Sequence, residues 1–107
     1  MIYIREAHPT DGWVSKGNVR AGIKIADPKN SGERTKVAIE TCSKLKIDMP
    51  CLIDSMDDKA NKAYGAWPDR IFVIGIDGKL KVAAGRGPSG FPPAVKQTTT
   101  WLAENIK

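Results

Sequence analysis

The run Ile71-Phe72-Val73-Ile74-Gly75-Ile76 leads straight into Asp77-Gly78, and then Leu80, Val82 and Ala84 alternate with Lys79, Lys81 and Ala83. A nearly continuous apolar run describes a strand covered on both faces. The Asp-Gly pair is a strong signal for a two-residue hairpin turn, and the alternation that follows describes a return strand with one dry face. Lysine on the other face places that return strand near a sheet edge. A chain built around this hairpin is not an all-helical bundle. Its class depends on what flanks the hairpin.

On the N-terminal side, Ile2 to Ala7 alternates and stops at His8-Pro9, where proline withdraws a backbone donor, so a first strand is expected there. Residues 9–30 carry Pro9, Gly12, Gly17, Gly22 and Pro28 with little periodicity and read as one long loop. From Glu33 to Lys46, Ala38, Cys42 and Leu45 fall on one helical stripe beside Val37 and Thr41, with Arg34, Lys36, Glu40 and Lys44 on the wet side. Asn30 or Ser31 begins this helix. Cys51 to Asp54 is a short strand, and Asp57 to Tyr64 suits a helical turn or two closed by Gly65. After the hairpin comes the glycine-rich loop Gly85 to Gly90. A last helix starts at Pro92-Pro93, with Val95, Thr98, Leu102 and Ile106 on one stripe and Trp101 adjoining it. Strand, helix, strand, short helix, hairpin, helix is an α/β order, in which the first strands pair in parallel through a helical crossover. No repeat or linker interrupts it, so residues 1–107 are expected to form a single domain.

Composition removes several classes. With 41% apolar and 27% charged residues the chain has the make-up of a soluble globular domain. No apolar run reaches the ~18 residues of a membrane span, so no membrane partner is expected. The first residues lack a small-residue cleavage site, and the default compartment is the cytoplasm. The formal charge of +5 raises the question of nucleic acid, but the basic residues are scattered and no aromatic-and-basic ladder appears. No nucleic-acid partner is expected; the surplus suits small anions. Cys42 and Cys51 are too few for a disulfide scaffold and too far apart for a CxxC pair. With His8 as the only histidine, neither a metal site nor any other cofactor is expected.

Chemistry concentrates at two places. Glu6 and His8 stand two apart at the end of the expected first strand, so both side chains point to one face, beyond the carboxyl end of a parallel strand where ligands collect in open α/β sheets. A carboxylate beside an imidazole orients the ring and favours a proton donor near neutral pH. The plainer reading is a histidine that caps a strand end. Arg86 lies between two glycines, free to project its fork of donors toward a carboxylate or phosphate, or simply to sit on a flexible turn. Cys42, mid-stripe on its helix, reads as a small buried hydrophobe rather than a nucleophile.

Tyr3-Ile4-Arg5-Glu6-Ala7-His8-Pro9-Thr10-Asp11-Gly12-Trp13 closely resembles the "YIEEAH..DGW" segment of the iodothyronine deiodinases, selenoenzymes with a thioredoxin-like fold. Asp54-Ser55-Met56 resembles that family's "DTM", Tyr64-Gly65-Ala66 its "YGA" and Arg70-Ile71-Phe72-Val73-Ile74 its "RLYVI". Gly85 to Phe91 is similar to "GRGPDGY", and Trp101-Leu102 to the closing "WL". The resemblance implies a thiol- or selenol-dependent redox domain related to reductive dehalogenation. It implies His8 as donor of a proton to the reacting carbon, Glu6 as its support and Arg86 as clamp on an anionic end. Trp13 and Pro68 would be further substrate contacts, with Trp67-Pro68 at the place of the superfamily's cis-proline. The expected partner is a small anionic or aromatic molecule, with a thiol reductant if an upstream nucleophile exists. Three departures stand out. No second histidine lies between His8 and Arg34 to match a ring-binding residue of vertebrate members, Arg5 replaces an acidic residue, and the family's nucleophile lies on a strand and helix before the "YIEEAH" segment.

The fold class that follows is α/β: an incomplete thioredoxin-like fold, a mixed sheet with flanking helices, missing the first strand and helix of the full fold. Without the nucleophile such a domain is expected to be inactive alone. The alternative is a non-catalytic anion-binding or self-associating module. Unpaired strand edges on either side of a missing inner strand would favour a homo-oligomer.

Overall fold

The computed structural model describes residues 1–106, as β1 (Ile2–Tyr3), α1 (Lys16–Arg20), α2 (Ser31–Lys44), β2 (Leu52–Ile53), α3 (Lys59–Tyr64), β3 (Phe72–Ile74), β4 (Leu80–Ala83) and α4 (Phe91–Asn105). The architecture is mixed α/β: two small sheets, one parallel and one antiparallel, each with a helix packed against it. The chain divides into two compact units, Met1–Gly65 and the residues from Ala66 onward.

In the first unit β1 and β2 run parallel, as a helical crossover requires, with Ile2 opposite Leu52 and Tyr3 opposite Ile53. Hydrogen bonds of 2.9 Å from Leu52 N to Met1 O and from Asp54 N to Tyr3 O complete the ladder. The first strand is shorter than the alternation to Ala7 implies, because regular pairing stops at Tyr3. The loop of residues 9–30 is not structureless either: α1 lies inside it, capped by the Ser15 hydroxyl accepting from Asn18 N.

The crossover helix α2 starts where expected. The Asn30 side chain accepts from Glu33 N at 2.9 Å, and the Glu33 carboxylate accepts from Lys29 N at 2.7 Å. This reciprocal arrangement satisfies amides that the first turn leaves without partners. The buried face is not the expected one. Leu45 is 67% exposed, whereas Arg34, assigned to the wet side by its charge, is only 3% exposed. Its Nη1 donates to Ser55 O at 2.8 Å and Asp54 O at 3.3 Å, and its Nη2 pairs with Asp58 Oδ1 at 3.3 Å. Arginine is buried here because a five-donor fork meets a ring of acceptors at the end of β2.

The same corner holds α3. Asp58, at its N-cap position, has φ 59 and makes no side-chain cap bond. The cap comes instead from Asp54, 6% exposed, whose carboxylate accepts from Ala60 N and Asn61 N at 2.9 Å each, and from Ser55 N at 2.9 Å. Gly65, with φ 55, ends the helix in the left-handed conformation that glycine adopts without penalty.

In the second unit β3 and β4 pair antiparallel, Phe72 opposite Ala83 and Val73 opposite Val82. The turn is one residue longer than the Asp-Gly signal implies. Gly75 N bonds Lys79 O at 2.9 Å, so Ile76, Asp77 and Gly78 form the loop, with Gly78 at φ 74. Three-residue loops of this kind place glycine last, in the left-handed region. Nor is the run covered on both faces, since Ile74 is 55% exposed. Val82, Ala84 and Ala94 form the buried cluster, with Ile71, Val73 and Trp101 packed against it. The inward stripe of α4 is therefore Ala94, Thr98 and Trp101, one residue round from the expected Val95, Leu102 and Ile106, which are exposed. The indole is large enough to set the rotation of the helix.

Burial pushes the Asp54 carboxyl up, but the amides of Asn61, Ala60 and Ser55 and the Arg34 charge outweigh it and hold it below the usual carboxylate range. A depressed folded pKa contributes stability that is complete above the unfolded value of about 3.9 and disappears as pH falls through the folded value. The urea midpoint is thus expected to drop on acidification below pH ~4, and to drop less steeply in Asp54→Asn. Arg34→Ala leaves buried acceptors and Asp58 without their partner and should cost about 3 kcal/mol at neutral pH, read by the same titration.

Candidate functional site

Because β1 ends at Tyr3, Glu6 and His8 lie in the segment beyond it, and the period-two argument for a shared face does not apply. A turn positions His8 instead. Gly12 N returns to Pro9 O at 3.2 Å, and a β-carbon at Gly12 would stand 2.9 Å from the Pro9 ring, so only glycine closes this turn comfortably. The turn brings Trp13 back onto His8. His8 Nδ1 lies 3.0 Å from Trp13 O, and the two rings meet edge to face with centroids 4.8 Å apart. A carbonyl only accepts, so Nδ1 is the donor and Nε2 is the nitrogen left for a ligand. Trp13 is 72% exposed, offering a broad aromatic face beside the imidazole.

Glu6 is half-buried. Burial, and then the negative charge of Asp27, raise its carboxyl above the ordinary glutamate value. Asp27 is held there by Asp11, whose carboxylate accepts from Asp27 N at 2.8 Å and pairs with Lys29 at 3.1 Å. Thr10 N to Ile25 O, at 2.8 Å, ties the same two ends of the long loop. Residues 9–30 are thus closed at the base, and their closure carries a carboxylate toward Glu6.

The second unit holds the other two expected residues. The Trp67–Pro68 peptide is cis, as the resemblance implies for that position, and so is Gly87–Pro88. Gly87 N donates to Asp69 O at 3.0 Å, joining the residue after Pro68 to the residue after Arg86. A β-carbon at Gly87 would collide with the Asp69 carboxylate, and one at Gly90 with the Arg86 carbonyl, so the glycines permit two close approaches. Arg86 itself is exposed, and its guanidinium joins no ion pair among the described residues. Pro68 and Arg86 are brought together by their backbones in this unit, as His8 and Trp13 are in the first.

Sequence reading missed the grip of the Trp13 carbonyl on His8, although Pro9-Thr10-Asp11-Gly12 is a turn signal that returns the chain by that distance. It also missed the proximity of Cys51 and Cys42, two partly exposed free thiols of which the second helps push the first up. Among the described residues no cluster of His, Cys, Asp and Glu could hold a metal, and no helix is long and apolar enough to cross a membrane.

The architecture is mixed α/β: the first unit has a parallel β–α–β crossover and a histidine held by a backbone carbonyl, and the second an antiparallel hairpin with a covering helix and a glycine loop beside a cis-proline. The chain belongs to the iodothyronine deiodinase family, whose model matches residues 1–106. It is 35% identical over 102 residues to thyroxine 5-deiodinase of Gallus gallus, covering 95% of this chain and 37% of that protein. It is 31% identical to thyroxine 5-deiodinase of Sparus aurata, over 97% of this chain and 36% of that one. The human type II iodothyronine deiodinase is 29% identical, over 99% and 38%. The chain thus spans less than two fifths of the length of these relatives.

The Glu6 environment is directly measurable. A carboxyl whose folded pKa is raised makes its ionised form a cost to the fold, absent below the unfolded value and fully felt above the folded one. Carbon-13 NMR should find Glu6 titrating above an ordinary glutamate, and Asp27→Asn should move that midpoint down. No change in Asp27→Asn would show that burial acts alone.

Proposed function

We propose that this member of the deiodinase family is a deiodinase-like redox domain whose residues provide the acid and the clamp of a reductive dehalogenation. In that reaction hydrogen replaces halogen on an aromatic carbon, a proton and two electrons are consumed, and halide leaves. Nε2 of His8 takes up a proton from solvent and passes it to the reacting carbon, while Nδ1–H stays on the Trp13 carbonyl. Glu6 supports it as a carboxyl that holds its proton more tightly than usual. Arg86 takes the anionic end of the substrate, and Trp13 and Pro68 offer apolar contact. The observation that carries this reading is the fixed His8 tautomer beside an exposed indole. The relatives' names identify thyroxine as a substrate of two of them, and a halogenated aromatic bearing a carboxylate is the corresponding class here.

The nucleophile is neither cysteine. Cys42 lies in the last turn of α2, where the helix dipole disfavours a thiolate. Burial, and then the neighbouring Cys42 thiol, push the Cys51 thiol up. Electrons reach the substrate from a thiol or selenol outside these residues, renewed by a thiol reductant. Incubated with diiodotyrosine and dithiothreitol, the 107-residue chain should release no iodide above the rate of its Cys42→Ser and Cys51→Ser variants. Diiodotyrosine should still bind, and Arg86→Ala should weaken it about tenfold by calorimetry, the worth of one charged hydrogen bond. Equal affinity in the variant removes Arg86 from the site.

Self-association is a second reading, favoured by the sheets. Each has two strands, and Ile2, Leu52, Ile74 and Leu80 on them are 45 to 65% exposed. A partner strand would satisfy the open ladder edges and cover these side chains. Light scattering after size exclusion at micromolar concentration should give a dimer or larger; a cooperative monomer near 11.6 kDa sinks this reading.

A further inference from the structure

Arg34 fixes how α2 lies along β2. Its guanidinium, near the start of the helix, grips the carbonyls of Asp54 and Ser55 just past the end of the strand, so helix and strand run in opposite senses. From that grip Cys42 lies eight residues on, two helical turns along the same face through buried Ala38, or about 12 Å of helix. Cys51 lies four residues back from Ser55, about 13 Å along extended chain. The two travels match, and they bring the thiols to the same level. There both cysteines are partly exposed free thiols, and Cys42 stands near enough to help push the Cys51 thiol up.

A disulfide needs its sulfurs about 2 Å apart, so the two thiols must close on each other. Residues 45–50, which join the two cysteines, are mostly exposed and without regular structure, so little opposes this approach. The pair is not used by the dehalogenation proposed above and does not depend on it.

We propose that Cys42 and Cys51 form a reversible intrachain disulfide, closed by exchange with a low-molecular-weight disulfide, that fastens the end of α2 to the start of β2. One deprotonated thiol attacks a sulfur of glutathione disulfide, forming a mixed disulfide and releasing one glutathione thiolate. The second thiol then displaces the other glutathione. One protein S–S bond forms and the oxidant's S–S bond breaks. Two protein thiols lose two electrons, and the glutathione disulfide, with the two protons, becomes two thiols.

The folded chain is incubated with glutathione disulfide, quenched with an alkylating reagent and weighed by mass spectrometry. The expected product has lost the mass of two hydrogens, carries no alkyl label, maps to a linked Cys42–Cys51 peptide and reverts with dithiothreitol. Cys42→Ser and Cys51→Ser, checked for folding by circular dichroism, should each stop at a mixed adduct with one glutathione. A second measurement does not rely on variants. In glutathione redox buffers the folded chain should reach half oxidation at a glutathione disulfide fraction about tenfold lower than the urea-unfolded chain, since the fold raises the effective concentration of one thiol at the other. Persistent mixed adducts on the parent chain, linkage only between chains, or equal half-oxidation points folded and unfolded would each overturn the proposal.

Discussion

The guanidinium of Arg34 is the interaction on which the first unit depends. A charge this deep is costly to desolvate, and Coulomb attraction to one carboxylate seldom repays it. What offsets the cost here is the set of backbone carbonyls at the end of β2, oriented by Asp54, which is itself held by three amides. Arg34 and Asp54 thus divide the corner: one collects its acceptors, the other its donors. The arrangement defines where β2 stops, where α3 starts and at which height α2 crosses the strand. In this light Asp54-Ser55-Met56, read from sequence only as a family motif, has a mechanical meaning: its carboxylate supplies the cap that Asp58 does not provide.

The sequence was most legible where local chemistry decides the outcome. Asn30 or Ser31 announces the start of α2, Gly65 the end of α3, and the order of patterns the parallel pairing of β1 with β2, because each depends on a few neighbouring residues or on general crossover geometry. It misled where tertiary contacts override the pattern. Arg34 looks solvent-facing to any polarity scale, since nothing local reveals that Ser55 and Asp58 will meet it. Val95 and Leu102 outweigh Ala94 and Thr98 in hydropathy, yet Trp101 decides the rotation of α4 by its size. The strand lengths were overread for a related reason: alternation to Ala7 is compatible with a strand, but pairing requires a partner, and β2 offers one to Ile2 and Tyr3.

The candidate site residues divide in the same way. His8 and Arg86 were legible as residue types, because a lone histidine beside a glutamate and an arginine between glycines are uncommon enough to notice. Their settings were not. His8 is governed by the Trp13 carbonyl, a backbone group that no side-chain pattern encodes, and the loop around Arg86 is shaped by the approach of Asp69 to Gly87. In both places glycine is chosen for the space a β-carbon would fill, at Gly12 beside Pro9 and at Gly87 beside Asp69. The backbone is then free to deliver the functional group.

The two thiols are the counterpart of this arrangement. A nucleophilic cysteine needs its charge favoured before substrate arrives, by a helix N-terminus or a nearby cation. Cys42 is at the wrong end of its helix, and Cys51 is pushed toward the protonated form by burial and by its neighbour. The same features suit a dithiol in which the high effective concentration of one thiol at the other favours ring closure over a lasting mixed adduct. A chain whose cysteines are disfavoured as nucleophiles but aligned by a buried arginine would keep the proposed dithiol chemistry apart from the proposed acid and clamp. The electrons for a dehalogenation would then have to enter through a group that these residues receive rather than contain.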